Sequence, residues 1–335
     1  MWKTIKSNWP VAIISIVVVI VSLSEILNSN RSSGTKFTSS LSATNDTGWV
    51  SPSLYTDFEL EGEERNLVIY GSDIIANTSR YLGPHGSVKA ISNGMNCQNC
   101  HLDAGKKRWG NNYSAVYSTY PKMRSRSGQI EGIYKRVSDC FERSLNGTAP
   151  DSNSREYQAI YAYMKWLGKD VKKGVKPNGS GIGKLEYLDR AAEPGKGKIV
   201  YAKYCQTCHG ENGQGQLSLA GNSYEYPPLW GEHSYNDGAG LYRLSNFAGF
   251  IRSNMPFKQA THDNPALSTE DAWDVAAYVN SQPRPKKDHS QDWPEISKKP
   301  FDHPFGPYAD SYSELQHKYG PYKPIIKQKE EMGKK

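Results

Sequence analysis

Cysteine is scarce in this chain of 335 residues, with five in all. Five is an awkward set for a disulfide framework. Long acidic runs are also few, and the formal charge is +7. That balance favours anionic partners. No helix-turn-helix, zinc-finger or RNA-binding signature accompanies the charge, so nucleic acid is not indicated and small anions are the simpler partners. The length is a soft prior for two domains, each large enough to bury a core of its own.

Four of the five cysteines fall into one repeated pattern, Cys97-x-x-Cys100-His101 and Cys205-x-x-Cys208-His209, leaving only Cys140. In Cys-x-x-Cys-His the two thiols bond the vinyl groups of a haem while the adjacent imidazole takes an axial place on iron. A pair of vicinal disulfides or a zinc site is the competing reading, and two matches that use four of five cysteines weigh against it. The sequence therefore predicts two covalently bound haem c groups with His101 and His209 as proximal ligands.

The opposite axial positions need a second donor each. Met255-Pro256 follows the second signature at the place where small cytochrome c domains carry an axial methionine, with Lys258 or His262 as substitutes if the methionine only packs. Cys140 holds the corresponding place in the first half, within Lys135-Arg136-Val137-Ser138-Asp139-Cys140-Phe141-Glu142-Arg143-Ser144. A cationic setting favours the thiolate. An inert buried thiol and an intermolecular disulfide are the alternatives.

The N-terminus has Lys3 and Lys6 followed by an apolar run from Val11 to Leu23, the order of an export signal. Ser22-Leu23-Ser24 offers a cleavage site, while the run extended through Leu27 approaches a membrane span. Cut or kept as an anchor, it places the remainder outside the cytoplasmic membrane, in the periplasm. The reading along the chain is a signal or anchor over 1–27, a flexible linker over 28–57, a first cytochrome c domain over 58–170, an interdomain linker over 171–194, a second domain over 195–285 and an irregular tail over 286–335. The fold class is all-α, two cytochrome c-type domains in tandem. Each half carries its attachment motif, a loop with a late sulfur residue and then an amphipathic helix, beginning at Ser154 in one and near Ser268 in the other.

Between His101 and Leu145 lie Lys106, Lys107, Arg108, Lys122, Arg124, Arg126, Lys135, Arg136 and Arg143, in excess of the acids Asp103, Glu131, Asp139 and Glu142. This is either a solvated face that docks an acidic redox partner or an anion pocket beside the first haem, since guanidinium groups suit oxyanions.

The run Ser92-Asn93-Gly94-Met95-Asn96-Cys97-Gln98-Asn99-Cys100-His101 is followed by Gly110-Asn111-Asn112-Tyr113-Ser114 and by Arg126-Ser127-Gly128 leading to Asp139-Cys140. Together these resemble the thiosulfate dehydrogenase family of dihaem cytochromes, over about residues 60 to 285. The resemblance implies an active-site haem held by His101 and Cys140, with Arg126, Arg136 and Ser144 contacting substrate, and an electron-transfer haem held by His209 and Met255. It implies an enzyme that couples two thiosulfates to tetrathionate with release of two electrons, or runs the reverse. A small cytochrome c or a membrane redox complex would be its electron partner. Family members with a lysine as alternative ligand carry it just before the methionine, where this chain has Asn254; that argues against such a ligand switch. A non-catalytic dihaem electron carrier is the rival reading, and a dihaem peroxidase is disfavoured by a ligand at both sixth positions.

Overall fold

Apolar residues at helical spacing, punctuated by serine caps, produce a mostly helical structure. The computed structural model describes residues 48–57, 60–219 and 221–332. Among them, eight helices of six residues or more follow in order: α1 Gly62–Ala76, α2 Ile133–Arg143, α3 Arg155–Leu167, α4 Pro194–Tyr204, α5 Leu244–Asn254, α6 Thr269–Ser281, α7 Glu314–Tyr319 and α8 Lys323–Met332. Ser154 caps α3 by accepting from the Tyr157 amide, and Ser268 caps α6 by accepting from the Asp271 amide. Each satisfies a donor that the first helical turn leaves unpaired. Pro194 opens α4, where its missing N–H costs nothing.

Two hydrophobic cores result. Val68, Ile74 and Ile75 of α1 meet Val137 and Phe141 of α2 and Ile160 and Leu167 of α3 in the first. Val200 and Tyr201 of α4, Phe247 and Ile251 of α5, and Trp273 and Val275 of α6 build the second. Both lie in one compact unit that starts at Thr47.

Each core is closed by the same kind of helix crossing. α1 packs on α3, and α4 packs on α6. At each crossing a glycine lets the backbones touch: a Cβ on Gly71 would sit 2.0 Å from the Ala159 carbonyl oxygen, and one on Gly197 would sit 1.9 Å from that of Asp274. A methyl group there must push two helices apart. Gly71→Ala and Gly197→Ala are each expected to cost about 1–3 kcal/mol despite alanine's better helix propensity. Denaturant unfolding of the purified protein checks this, and a neutral or stabilising result would contradict the close crossing.

The expectation of a purely helical chain is corrected by two small sheets. β1, Lys122–Arg124, pairs antiparallel with β2, Gln129–Glu131, inside what reads as a polar loop; β3, Gln216–Leu217, pairs with β4, Tyr224–Tyr226. Two or three residues per strand are too few to announce themselves by alternation.

The connecting segments are also more ordered than their composition suggests. Of the expected flexible linker over 28–57, the described part is anchored at Trp49, which is buried and donates from its indole to the Leu167 carbonyl at 3.2 Å, and at the buried Asp57. Within 171–194, expected as an interdomain linker, Ala192 is buried in the second core and the Glu186 carbonyl accepts from the Trp273 indole at 2.9 Å. The tail expected to be irregular contains α7 and α8 and buries Tyr322 and Ile325 in the second core. No helix among the described residues is long and apolar enough to cross a membrane. The signal or anchor segment over 1–27 and the linker up to residue 47 lie outside the described residues.

Candidate active site

The first Cys-x-x-Cys-His segment is tied to the end of α1 and the short turn after it. The Cys97 amide donates to Thr78 Oγ1 at 2.9 Å, the Gln98 side chain donates to the Ala76 carbonyl at 2.7 Å, and Asn96 Oδ1 accepts from the Ser79 amide at 2.9 Å. Cys97 packs against the first core and Cys100 against the second, so the segment sits where the two cores meet.

His101 Nδ1 lies 2.6 Å from the Asn111 carbonyl oxygen. A carbonyl only accepts, so Nδ1 carries the proton and Nε2 keeps a lone pair for a metal. Burial lowers the His101 pKa to about 4, which keeps the ring neutral. The ring stacks on Tyr113, with centroids 4.4 Å apart.

His101 and Cys140 line one cleft, together with Cys97, Cys100, Arg136 and Ser144. The cleft has a volume of about 270 Å³ and opens to solvent. All five cysteines are free thiols, and burial pushes the Cys97 and Cys100 thiols up to about 12. Two neutral thiols beside an imidazole held for metal ligation, in a cleft with a sulfur donor in its wall, fit a covalently bound haem c. His101 and Cys140 are the residues that could hold its iron.

The second signature repeats the arrangement. His209 Nδ1 lies 2.9 Å from the Pro227 carbonyl oxygen, and burial lowers the His209 pKa. Cys205 and Met255 pack against the second core. Met255 follows the last residue of α5, its amide bonded to the Ile251 carbonyl at 2.7 Å. His262, the alternative donor, stacks on Trp109 at 4.2 Å and approaches Ser253 Oγ at 3.3 Å. Asn254 is fully buried and donates to the Trp109 carbonyl at 3.0 Å, joining the Met255 end of α5 to the loop after His101.

The basic residues divide into distinct groups. Arg136, Lys122 and Arg124 line the cleft and are joined there by Lys176. Arg136 stands one turn before Cys140 on α2 and donates from Nη1 to Cys140 Sγ at 3.0 Å. The negative charge Cys140 can carry holds the Arg136 guanidinium firmly in its charged form. Lys135 pairs instead with Asp139, and Lys106 with Asp103. Arg126, expected to contact substrate, is not among the residues lining the cleft: it donates to the Gly238 carbonyl at 2.9 Å and pairs with Asp292 at 3.3 Å. Sequence reasoning thus brings Arg136, Cys140, Ser144 and His101 together and misses Lys176 and Asp292. Both lie in stretches whose composition carries no chemical pattern.

Lys122 is the titratable member of this group. Desolvation, with Arg124, Lys176 and Arg136 nearby, lowers its pKa to about 8. It is charged below pH 8 and neutral above, so its protonated fraction falls about tenfold between pH 7 and pH 9. The KM for a dianionic substrate is expected to rise over that interval and to be flatter in Lys122→Gln, as steady-state kinetics in buffers of constant ionic strength would record.

Residues 195–283 match the family model for cytochrome c. Among whole proteins, the thiosulfate dehydrogenase of Psychrobacter arcticus is 41% identical over 207 residues, which is 61% of each chain. That of Stutzerimonas stutzeri is 38% identical over 220 residues, covering 66% of this chain and 68% of the relative. The chain belongs to the thiosulfate dehydrogenase family. The Allochromatium vinosum member is 37% identical over 199 residues, 58% of this chain and 72% of that one. The solved thiosulfate dehydrogenase (TsdBA) of Marichromatium purpuratum, in its "as isolated" form, aligns with a TM-score of 0.64 at 30% identity, over 71% of this chain and 50% of that one. The chain therefore spans 61% of the Psychrobacter relative's length and half of the Marichromatium chain.

Proposed function

We propose that this protein couples two thiosulfates to tetrathionate with release of two electrons, and catalyses the reverse reduction, in the cleft beside Cys140. The observation that carries this reading is the 3.0 Å contact of Arg136 Nη1 with Cys140 Sγ in a cleft lined by Lys122, Arg124 and Lys176, in a chain of this family. Bound haem c supplies the one-electron acceptor steps that carry the electrons away.

The chain's own residues supply the rest. Arg136 stabilises the Cys140 thiolate and offers its remaining N–H groups to sulfonate oxygens. Ser144, one turn after Cys140, is placed to donate to the same anion. Lys122, Arg124 and Lys176 offset the charge of dianionic reactants. Cys140 Sγ then forms a sulfur–sulfur bond to the terminal sulfur of one thiosulfate, with loss of two electrons. The terminal sulfur of a second thiosulfate attacks that adduct, tetrathionate forms, and the Cys140 thiolate leaves. Electrons and charge balance in both steps, and each reverses.

Both halves are cytochrome c domains on this reading, with two haems in all. The shared glycine crossing at Gly71 and Gly197 supports the tandem, and Cys205, Cys208, His209 and Met255 would hold the second haem. Lys3 and Lys6 before an apolar run support export to the periplasm, with or without retention as an anchor. The +7 charge suits an acidic electron-transfer partner, a small cytochrome c or a membrane redox complex.

The test is anaerobic visible spectroscopy of the matured protein with thiosulfate plus an electron acceptor, and with tetrathionate plus a reduced dye. Turnover of either sulfur substrate upholds the reading. A haem-loaded protein whose redox state neither substrate changes would overturn it and leave an electron carrier.

A further inference from the structure

The walls of the cleft come from two elements far apart in shape but close in sequence. Helix α2 contributes Arg136 and Cys140, and the β1–β2 hairpin contributes Lys122 and Arg124. The base of the hairpin is fixed, because β2 runs into α2 through Gly132 alone. Its far end, the turn around Arg126, is held from outside by the chain's C-terminal segment.

Asp292 is the connection. Its carboxylate accepts from Arg143 Nη2 at 2.8 Å and Nη1 at 3.0 Å, a fork-to-fork pair at the end of α2. The same carboxylate pairs with Arg126 Nη1 at 3.3 Å, in the turn of the hairpin. The Asp292 side chain is 7% exposed, and those of Arg143 and Arg126 are 13% and 15% exposed. Burial opposes the charge on Asp292, but His289, Arg126 and Arg143 outweigh it and bring its pKa down to about 2. The link is therefore ionic at any working pH.

The neighbouring residues fasten the same turn. The Trp293 amide donates to the Arg126 carbonyl at 2.7 Å, and its ring lies 5.3 Å from the Arg126 guanidinium carbon. Gly128 has φ +69°, and a Cβ there would sit 2.7 Å from Pro294. The C-terminal segment thus crosses the turn so closely that glycine is required.

We propose that Asp292 is a positioning residue of the cleft: through Arg143 and Arg126 it sets the spacing between the Cys140 helix and the cationic hairpin. The C-terminal segment is on this account part of the active-site architecture. Losing the carboxylate leaves two buried guanidinium groups without their shared anion, and the hairpin moves away from the helix. Substrate anions then meet Lys122 and Arg124 at the wrong distance, while Arg136 and Cys140 keep their mutual contact. The kinetic consequence rests on the thiosulfate reading; the structural one does not.

The test uses full-length, haem-loaded Asp292→Asn and Asp292→Glu. In Asp292→Asn the KM for thiosulfate rises about tenfold while kcat stays within about threefold. Amide hydrogen exchange accelerates over residues 122–131, α4 and α6 stay protected, and the visible spectrum is unchanged. Asp292→Glu recovers part of the KM. A fall in melting temperature with KM and hairpin exchange both unaltered would make Asp292 a plain structural strut and overturn the proposal. So would equal loss in kcat and kcat/KM. If the wild type itself ignores thiosulfate, the proposed reaction fails, and hairpin exchange in Asp292→Asn still decides the clamp.

Discussion

Cys140→Ala is expected to keep its covalent haem and lose thiosulfate turnover by about 10³-fold or more. Attachment depends on Cys97, Cys100 and His101, in a segment fastened through Cys97 to Thr78, Gln98 to Ala76, Asn96 to Ser79 and His101 to Asn111, without help from Cys140. The fold is also spared, because Phe141 and Val137 supply the apolar contacts of α2 with the first core. On the proposed reaction, what disappears is the sulfur that bonds thiosulfate, and Cys97 and Cys100, the other sulfurs of the attachment motif in the cleft, would be taken up by the haem. The absorption spectrum, which reports haem content and ligation, is read beside the rate of acceptor reduction. A variant that retained wild-type turnover would make Cys140 a ligand and remove it from the chemistry.

Arg136→Ala carries the second large effect, a fall in kcat/KM of about 10²- to 10³-fold. Arg136 is half-buried, in contact with Cys140 Sγ at 3.0 Å, and on the proposed reaction acts on both reactants. It stabilises the attacking thiolate and presents a planar donor fork to the sulfonate group. Arg136→Lys should recover only part of this, since an ammonium on a flexible stem cannot meet sulfur and oxyanion together. Steady-state kinetics of the three proteins, with haem content as the folding control, decide the matter. Full activity in Arg136→Lys would show that only charge is needed there.

The helices are legible because they rest on local chemistry. Ser154 and Ser268 mark the starts of α3 and α6 by capping, a property of adjacent residues, and the apolar spacing beyond them marks the buried face. The β1–β2 hairpin escapes the same reading because three residues leave no period to count. Residues 48–57 and the C-terminal segment mislead in the other direction: polar composition suggests free chain, yet Trp49, Tyr322 and Ile325 each find a place in a core. A single large side chain can anchor a segment whose average composition predicts nothing.

Motif chemistry behaves in the same way. Cys97-x-x-Cys100-His101 and Cys205-x-x-Cys208-His209 carry their meaning in fixed spacing, so the expectation of attached haem needs the sequence alone. The partnership of Arg136, Cys140 and Ser144 comes only from the resemblance; the sequence pattern puts Cys140 in a loop, and it is helix α2 that sets Arg136 and Cys140 one turn apart on one face. The basic run between His101 and Leu145 is different. Sequence lists its charges but cannot tell Lys122, which faces the cleft, from Arg126, which faces Asp292. The counter-ion stands 166 residues away from Arg126 in the chain, and no local rule reaches that far. Coulomb pairing depends on distance in space, which only the closing of the tertiary structure supplies.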